Sequence, residues 1–171
     1  MAETSKSAPY PDQVPRLSVS LEFLARFEIE AASMNPVGTV PAGTRRCDVI
    51  DGGRFEGPNL KGRVISGMDA LLDVGNDIIR PDVRLLLETH DGAKIYMHYT
   101  GVIHCRPDVL ARLRRREAIN ADEFYLRTSV QFECGDPNYA WLNTFIAIGT
   151  YGSVSFASGK KGSLYDIYRV L

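Results

Sequence analysis

The sequence predicts an all-β fold, and three observations support this. Eight to ten short segments are rich in β-branched and aromatic residues, and several of them alternate between apolar and polar side chains. Clusters of Gly, Pro, Asn and Asp separate these segments. Only one stretch has the pattern of a helix. The residues are therefore those of an antiparallel barrel or sandwich, and closure into a barrel would leave no exposed sheet edge.

The predicted strands follow one another along the whole chain after the first 15 residues. The first begins with strict alternation of Leu17, Val19, Leu21 and Phe23, the period of a half-buried strand. Its neighbours are a strand that turns at a Gly-Gly pair, two short strands hinged near Gly67, and a hairpin. Three further strands close the chain. In order, these segments span 16–32, 44–57, 58–75, 78–105, 123–135, 143–159 and 163–171.

The one predicted helix lies near residues 107–118. Pro107 suits the first turn of a helix, and Asp108 places negative charge where the helix N-terminus favours it. Val109, Leu110 and Leu113 form a narrow apolar stripe on the same segment. The basic run at 112–116 is followed by Glu117 and lacks interleaved aromatic residues, so we interpret it as a solvated helix face rather than a nucleic-acid site.

Composition narrows the class of protein. Apolar residues make up 44% and charged residues 24% of 171 residues, and the net charge is −1, so no global field attracts nucleic acid or anionic lipid. No run has the length of a membrane span, and the N-terminus lacks the apolar region of a signal peptide. We predict a cytoplasmic protein with a disordered or loosely docked tail over residues 1–15 and a single domain over residues 16–171.

Metal sites and disulfides are not expected. The three cysteines, at positions 47, 105 and 134, are odd in number and widely spaced, and no CxxC or CxxH pair occurs. His98 and His104 would lie about 20 Å apart on one strand, too far to share an ion. The sequence also has no cofactor fingerprint, so we predict neither a metal nor a cofactor.

The hairpin around Asp91-Gly92 carries many ionisable groups, in the stretch RLLLETHDGAKIYMHYTG. A two-residue type I′ turn would set Arg84 opposite Tyr99 and would place Glu88 on the same face. That face is then either an apolar pocket wall with a few placed polar groups, or a solvated surface with an Arg84–Glu88 pair of little energetic value.

Other candidate site residues lie on different strands. Asp69 precedes an apolar run, so it is either a buried carboxylate with a raised pKa, able to act as a base, or the cap of a turn at Gly67. Tyr125 and Arg127 share the polar face of a strand whose other face is apolar. They are therefore either solvated or part of a polar lumen. Trp141 and Asn143 are either a pocket cap or, for the Trp, plain core.

The order of several short motifs resembles one known family. These motifs are DGGRFEGPNLKG, GMDALL, VRLLLETHDGAKIYMHYTG, FYLRTSVQFE, YAWLN and a final YDIYRVL, and the resemblance spans Leu17 to Leu171. The pattern is similar to that of domain of unknown function 3237. The resemblance implies a closed antiparallel β-barrel like those of lipocalins and other calycins, often dimeric, with no settled activity. The family commonly has an aromatic residue where this chain has Ala70, and the smaller side chain would widen a pocket.

Two functional classes remain. The first is a cofactor-independent isomerase, dehydratase or cyclase for small lipophilic or aromatic molecules, with general acid–base chemistry in the barrel lumen. The second is a barrel that binds such a molecule without changing it, and a filled, purely structural barrel is a further alternative. The predicted catalytic residues are Asp69 and Arg84. The predicted substrate-binding residues are Glu88, Tyr99, Tyr125, Arg127, Trp141 and Asn143. We expect a homodimer as the assembly, and no nucleic-acid or membrane partner.

Overall fold

The structure, a computed structural model, describes residues 17–115, 117, 119–155 and 161–171. Its strands are β1 (Leu21–Val40), β2 (Gly43–Glu56), β3 (Lys61–Gly75), β4 (Ile78–Arg80), β5 (Asp82–Thr89), β6 (Lys94–Cys105), β7 (Phe124–Cys134), β8 (Ala147–Ser155) and β9 (Lys161–Val170). The helix α1 spans Pro107–Arg114, and a 3₁₀ helix spans Ala140–Thr144. The tail predicted over residues 1–15 lies outside the described residues.

The strands close into a barrel. Starting from β1, the antiparallel pairings run through β2, β3, β5, β6, β7, β8 and β9, and β9 pairs with β1 again. The short strand β4 lies between β3 and β6 at one edge of this ring. The predicted antiparallel barrel is therefore confirmed. None of the described helical segments is long and apolar enough to cross a bilayer.

Alternation decides which side chains fill the barrel. On β7 the alternating residues Leu126, Val130 and Phe132 are buried, as the sequence pattern predicts. On β1 and β2, the buried rings of Phe27 and Phe55 stack with 5.0 Å between their centroids. The inward positions of these strands therefore form an apolar core.

Two predicted turns are wrong. Gly52 and Gly53 lie inside the continuous strand β2, opposite Glu30 and Ile29 of β1. Gly67 lies inside β3, where an added Cβ atom would overlap the carbonyl oxygen of Arg84 on β5. This glycine therefore permits close approach of two backbones rather than a reversal of the chain.

The helix is shorter than predicted. It ends at Arg114 rather than near residue 118. The amide of Glu117 donates to the carbonyl of Arg112, five residues earlier, at 3.0 Å, which is the kind of 6→1 bond that ends a helix. Val109 and Leu110 are buried and join the core.

Candidate functional site

Two carboxylates face each other inside the barrel. Asp69 of β3 lies opposite Asp48 of β2 and, on its other side, opposite Val83 of β5. Val83 is fully buried, so Asp69 shares the inner face of the sheet. The backbone N–H of Asp82 hydrogen-bonds to the Asp69 carboxyl. The Oδ1 atom of Asp69 is shielded from solvent and has no hydrogen-bond partner among the described residues.

The pKa of Asp69 is raised to about 7. The largest cause is burial, which disfavours the charged carboxylate, and the negative charge of Asp48 adds to it. The positive charge of Arg46 and the hydrogen bond from Asp82 act in the opposite direction. At neutral pH, Asp69 is therefore close to half protonated, the condition in which a carboxyl group both accepts and donates protons readily.

Arg46 connects this pair to the surface. It precedes Asp48 by two residues on β2, so both side chains lie on the inner face. Arg46 Nε lies 2.9 Å from Asp48 Oδ1, and about a third of the arginine side chain, 32%, is exposed. Neither atom meets hydrogen-bond geometry, so this contact is chiefly Coulombic.

Two tyrosines complete the cluster. Tyr99 of β6 and Tyr165 of β9 are buried, with ring centroids 5.8 Å apart, and their hydroxyl groups hydrogen-bond to each other. Burial is the largest cause that raises the pKa of both phenols well above the ordinary value, and the charge of Asp69 raises both further. Both tyrosines are therefore protonated at any physiological pH; Tyr99 donates its O–H to Tyr165, and the O–H of Tyr165 is the donor that remains for a ligand.

Asp48, Asp69 and the two tyrosines surround a small cavity of about 50 Å³, whose full lining is Ile29, Ala31, Asp48, Ile50, Asp69, Tyr99, Ser163 and Tyr165. That volume holds a few water molecules or one functional group of a larger compound. It is smaller than the ~300–1,000 Å³ of a typical ligand pocket. The cavity therefore fits the reacting end of a substrate, not a whole lipophilic molecule.

The predicted hairpin register is wrong by one residue. Thr89 pairs with Ala93 around a three-residue loop in which Gly92 has a φ of 96°, so Arg84 lies opposite His98 and not opposite Tyr99. The extra loop residue places Arg84 and Tyr99 on opposite faces of the sheet.

Arg84 and Glu88 therefore lie on the outer face, away from Asp69. The guanidinium of Arg84 is 2.6 Å from Asp82 Oδ1, and its side chain is 48% exposed. Glu88 forms ion pairs with Lys94 and Arg63, and hydrogen bonds from these two cations hold its pKa below the ordinary value. The prediction of a shared interior position for Arg84 and Glu88 is wrong.

The remaining predicted residues are also dispersed. Tyr125 is 51% exposed on the outer face, and the guanidinium of Arg127 lies 5.2 Å from its ring centroid. Trp141 stacks on Phe145 with centroids 6.0 Å apart. The amide of Asn143 donates to the carbonyl of Cys134 at 2.9 Å and accepts from its N–H at 2.8 Å, which is a structural role. Of the predicted site residues, the structure brings only Asp69 and Tyr99 together.

Sequence reasoning missed Arg46, Asp48 and Tyr165. Arg46 and Asp48 have the same parity in TRRCDVI, which is a signal for a shared face. Their contact with Asp69 depends on the register of β2 and β3, which no local pattern shows. Ala70 follows Asp69 and so points outward. Its small side chain therefore does not widen the Asp69 cavity.

In the part of the chain that the structure describes, no group of three or more His, Cys, Asp or Glu side chains is arranged to hold a metal ion. The three cysteines are free thiols.

The family model described as "Protein of unknown function (DUF3237)" matches residues 19–170. The chain belongs to this family. A UPF0311 protein of Rhodopseudomonas palustris is 31% identical over 158 residues, which cover 91% of this chain and 100% of that protein.

Solved structures share the barrel. A β-barrel like protein from Acinetobacter baumannii AYE has 33% identity and a TM-score of 0.75, over 93% of this chain and 100% of that one. A conserved protein of unknown function from Rhodopseudomonas palustris has 25% identity and a TM-score of 0.81, over 91% and 100%. An enzyme from Penicillium herquei has 21% identity and a TM-score of 0.67, over 92% and 98%, and that likeness extends to the fold alone.

Proposed function

We propose that this barrel is a cofactor-independent acid–base enzyme for small lipophilic or aromatic molecules, an isomerase, dehydratase or cyclase. The observation that supports this most is Asp69, a carboxyl group with a pKa raised to about 7 that lines an interior cavity. A base with a pKa near the working pH combines a useful fraction of the basic form with a strong tendency to take a proton.

Asp69 is the proposed general base. It takes a proton from a carbon next to a carbonyl group, the C–H electron pair moves into the carbon skeleton, and negative charge collects on the carbonyl oxygen. Return of the proton to a different carbon gives an isomer, and loss of a β-hydroxyl group with that proton gives an alkene and water. Attack of the carbanion on a second carbonyl carbon of the same substrate closes a ring; the C=O π bond breaks, and Asp69 returns its proton to the alkoxide oxygen that forms.

The neighbouring groups have matching roles. Tyr99 and Tyr165 remain protonated. The O–H of Tyr99 donates to Tyr165, so the O–H of Tyr165 is the one that donates to the developing oxyanion. The sequence suggests Arg84 as the fixed positive charge of the site. Arg46 takes this role instead, because its guanidinium lies on the inner face beside Asp48. Asp48 helps to raise the pKa of Asp69 and holds Arg46 in place.

The test follows proton exchange at a carbon acid. The wild-type protein is incubated with the aromatic ketone 2-tetralone in D₂O, and loss of the α-proton signal is followed by NMR. We expect faster exchange than in buffer, and a decrease of at least about 100-fold in the enzymatic rate for Asp69→Asn. Ketone affinity should stay within about tenfold. The exposed Asp51 on β2 gives the matched control Asp51→Asn, which should exchange like the wild type. Normal exchange by Asp69→Asn would exclude Asp69 as the base.

A non-catalytic binding barrel is the second candidate, and one observation favours it. A hollow of about 520 Å³, the size of an ordinary ligand site, lies where the ends of β1 and β9 meet the 3₁₀ helix and is lined by Phe23, Tyr139, Trp141 and Arg169 among others. Trp141 is the only Trp of the chain, so its fluorescence reports on this hollow. Quenching of that fluorescence by 2-tetralone without any α-proton exchange would favour this second function.

A further inference from the structure

Arginine side chains form a row across the outer face of the barrel, away from the Asp69 cavity. On β2, Arg45 lies opposite Leu72 of β3, and Leu72 lies opposite Arg80 of β4. Neighbouring strands are ~4.8 Å apart, so these two arginines start about 10 Å apart. The leucine between them is half-buried.

The row continues on the next two strands. The pairing of Ile79 with Ile103 places Arg80 beside Val102 of β6, and Val102 lies opposite Arg127 of β7. Arginine and aliphatic side chains therefore alternate across five adjacent strands of the outer face, at the same level along the barrel axis.

These three arginines differ from the others in their partners. Each of the nine other arginines whose side chains the structure describes forms an ion pair with a carboxylate: 26, 46, 54, 63, 84, 106, 112, 115 and 169. Arg45 and Arg127 each donate one hydrogen bond to a backbone carbonyl, of Ala70 and Leu126, which leaves their other donors available. Among the arginines whose side chains the structure describes, those without a carboxylate partner are therefore Arg45, Arg80 and Arg127, and these three lie in one row.

The row lines a concave surface. A hollow of about 550 Å³ is bounded by the three arginines, by Leu72 and Val102, and by residues that include Thr100 and Ser129. Asp82 also lines the hollow, and its carboxylate is paired with Arg84 at 2.6 Å. The volume lies within the ~300–1,000 Å³ range of small-molecule sites, and apolar walls with a few placed charges are typical of such sites.

A second copy of the chain does not fit this surface well. In a two-fold symmetric dimer the same patch meets itself, so cationic groups near the axis would face cationic groups. Guanidinium groups instead match carboxylate and phosphate groups, with which they form paired, charge-assisted hydrogen bonds.

We propose that this hollow binds a small organic dianion, whose carboxylate or phosphate groups are held by Arg45, Arg80 and Arg127 and whose apolar skeleton lies on Leu72 and Val102. The spacing of the row favours two separated anionic groups over a single one, because each interval between arginines spans two strand spacings.

The test is titration calorimetry on the full chain with biphenyl-4,4′-dicarboxylate, and with biphenyl-4-carboxylate as its singly charged match. We expect the dicarboxylate to bind at least about tenfold more tightly, and Arg80→Gln to weaken its binding by about tenfold or more.

Arg54→Gln is the control, because Arg54 is also exposed but is paired with Glu28. Inorganic pyrophosphate, titrated in parallel, shows whether phosphate or carboxylate is preferred. Binding should weaken as salt rises.

Several outcomes would overturn the proposal. These are no binding of either dianion at millimolar concentration, equal binding of the two biphenyl acids, or equal effects of Arg80→Gln and Arg54→Gln. Tighter binding of a single-stranded oligonucleotide, lost in Arg80→Gln, would reassign the row to nucleic acid. A circular dichroism spectrum shared by both variants and the wild type ensures that the comparison concerns folded protein.

Discussion

Asp48 and Asp69 are directly opposite each other on neighbouring strands, an arrangement that is unfavourable when both are charged. Burial makes it more unfavourable, because the second negative charge must leave water. The repulsion between the two carboxylates is reduced because Asp69 keeps a proton up to about pH 7. A costly pair of this kind, beside a cavity, is typical of a functional site rather than of a structural one.

The proton on Asp69 makes stability depend on pH. The pKa of Asp69 is about 7 in the folded state and 3.8 in its ordinary environment, so the native state binds the proton more tightly. The stabilisation that this proton gives the folded state is complete below pH 3.8. It declines as the pH rises from 3.8 to about 7 and is lost above about pH 7. Asp69→Asn should therefore increase the free energy of unfolding at pH 8.5 by on the order of 2–4 kcal/mol, with little gain at pH 4.

Urea denaturation of both proteins at the two pH values measures this difference. Asp51→Asn, on the exposed side of β2, should show no such pH-dependent gain. Asp48→Asn should reduce the pH dependence without removing it, because burial is the larger cause of the raised pKa. A gain for Asp69→Asn that is equal at pH 4 and 8.5 would contradict the raised pKa.

The sequence could identify Asp69 as a candidate because a lone carboxyl group before an apolar run is unusual on an inner face. It could not identify Asp48 and Tyr165 as its neighbours. They lie 21 residues before and 96 residues after Asp69, and only the register of separate strand pairings brings them to one cavity. The same dependence on register explains why local patterns favour Arg84 over Arg46 as the cation of the site.

At the scale of elements, alternation predicts the strands well, and glycine is the main source of error. Gly67 and the Gly52-Gly53 pair have the local pattern of chain reversals, yet β2 and β3 pass through them. A glycine that ends a strand and one that lets a neighbouring backbone come close have the same local signature. The loop at Gly92 contains three residues rather than the expected two, and this moves every pairing between β5 and β6 by one position.

Two substitutions distinguish a glycine that is needed for its backbone conformation from one that is needed for close approach of a neighbouring strand. At Gly92 nothing lies within 4 Å of the place that a Cβ atom would occupy, so Gly92→Ala should cost only the left-handed backbone, about 1 kcal/mol. At Gly67 the added carbon would overlap the backbone oxygen of Arg84 and would stand 2.6 Å from the side chain of Leu85. Gly67→Ala should therefore destabilise more, by about 2–4 kcal/mol.

Thermal unfolding followed by circular dichroism compares the two variants under one condition. The order of their midpoints is the decisive result, with Gly67→Ala below Gly92→Ala. The reverse order would mean that β3 and β5 separate easily, contrary to their close pairing.

At the scale of the whole molecule, the outer surface of the barrel is divided between charged and apolar regions. Val49, Met68, Leu86 and Tyr96 are 42%, 42%, 39% and 37% exposed. Val49 pairs with Met68, and Leu86 pairs with Tyr96. The partner of Met68 on β5 is Arg84, two residues before Leu86 on the same face, so the two pairs are diagonal neighbours. An apolar cluster of this kind on an outer face is a candidate surface for self-association.

We therefore expect a dimer in light scattering at micromolar concentration. Leu86→Glu should shift the protein to a monomer, because it places a charge within the apolar cluster. Val37→Glu is the control, since Val37 is also exposed, at 60%, but lies near the β1–β2 turn. A wild-type monomer would contradict the expectation, and so would equal dissociation by both substitutions.

The pairing of β9 with β1 has a consequence for biosynthesis. The barrel cannot close until the ribosome has released β9, whose last residue, Val170, follows the last residue of β1, Val40, by 130 residues. At cellular rates of about 5–20 residues per second, one edge of β1 waits roughly 7–26 seconds for its partner. Its charged residues, Glu22, Arg26, Glu28 and Glu30, make that edge a poor template for another nascent chain. We therefore expect the charge on the first strand to limit pairing between unfinished barrels during translation.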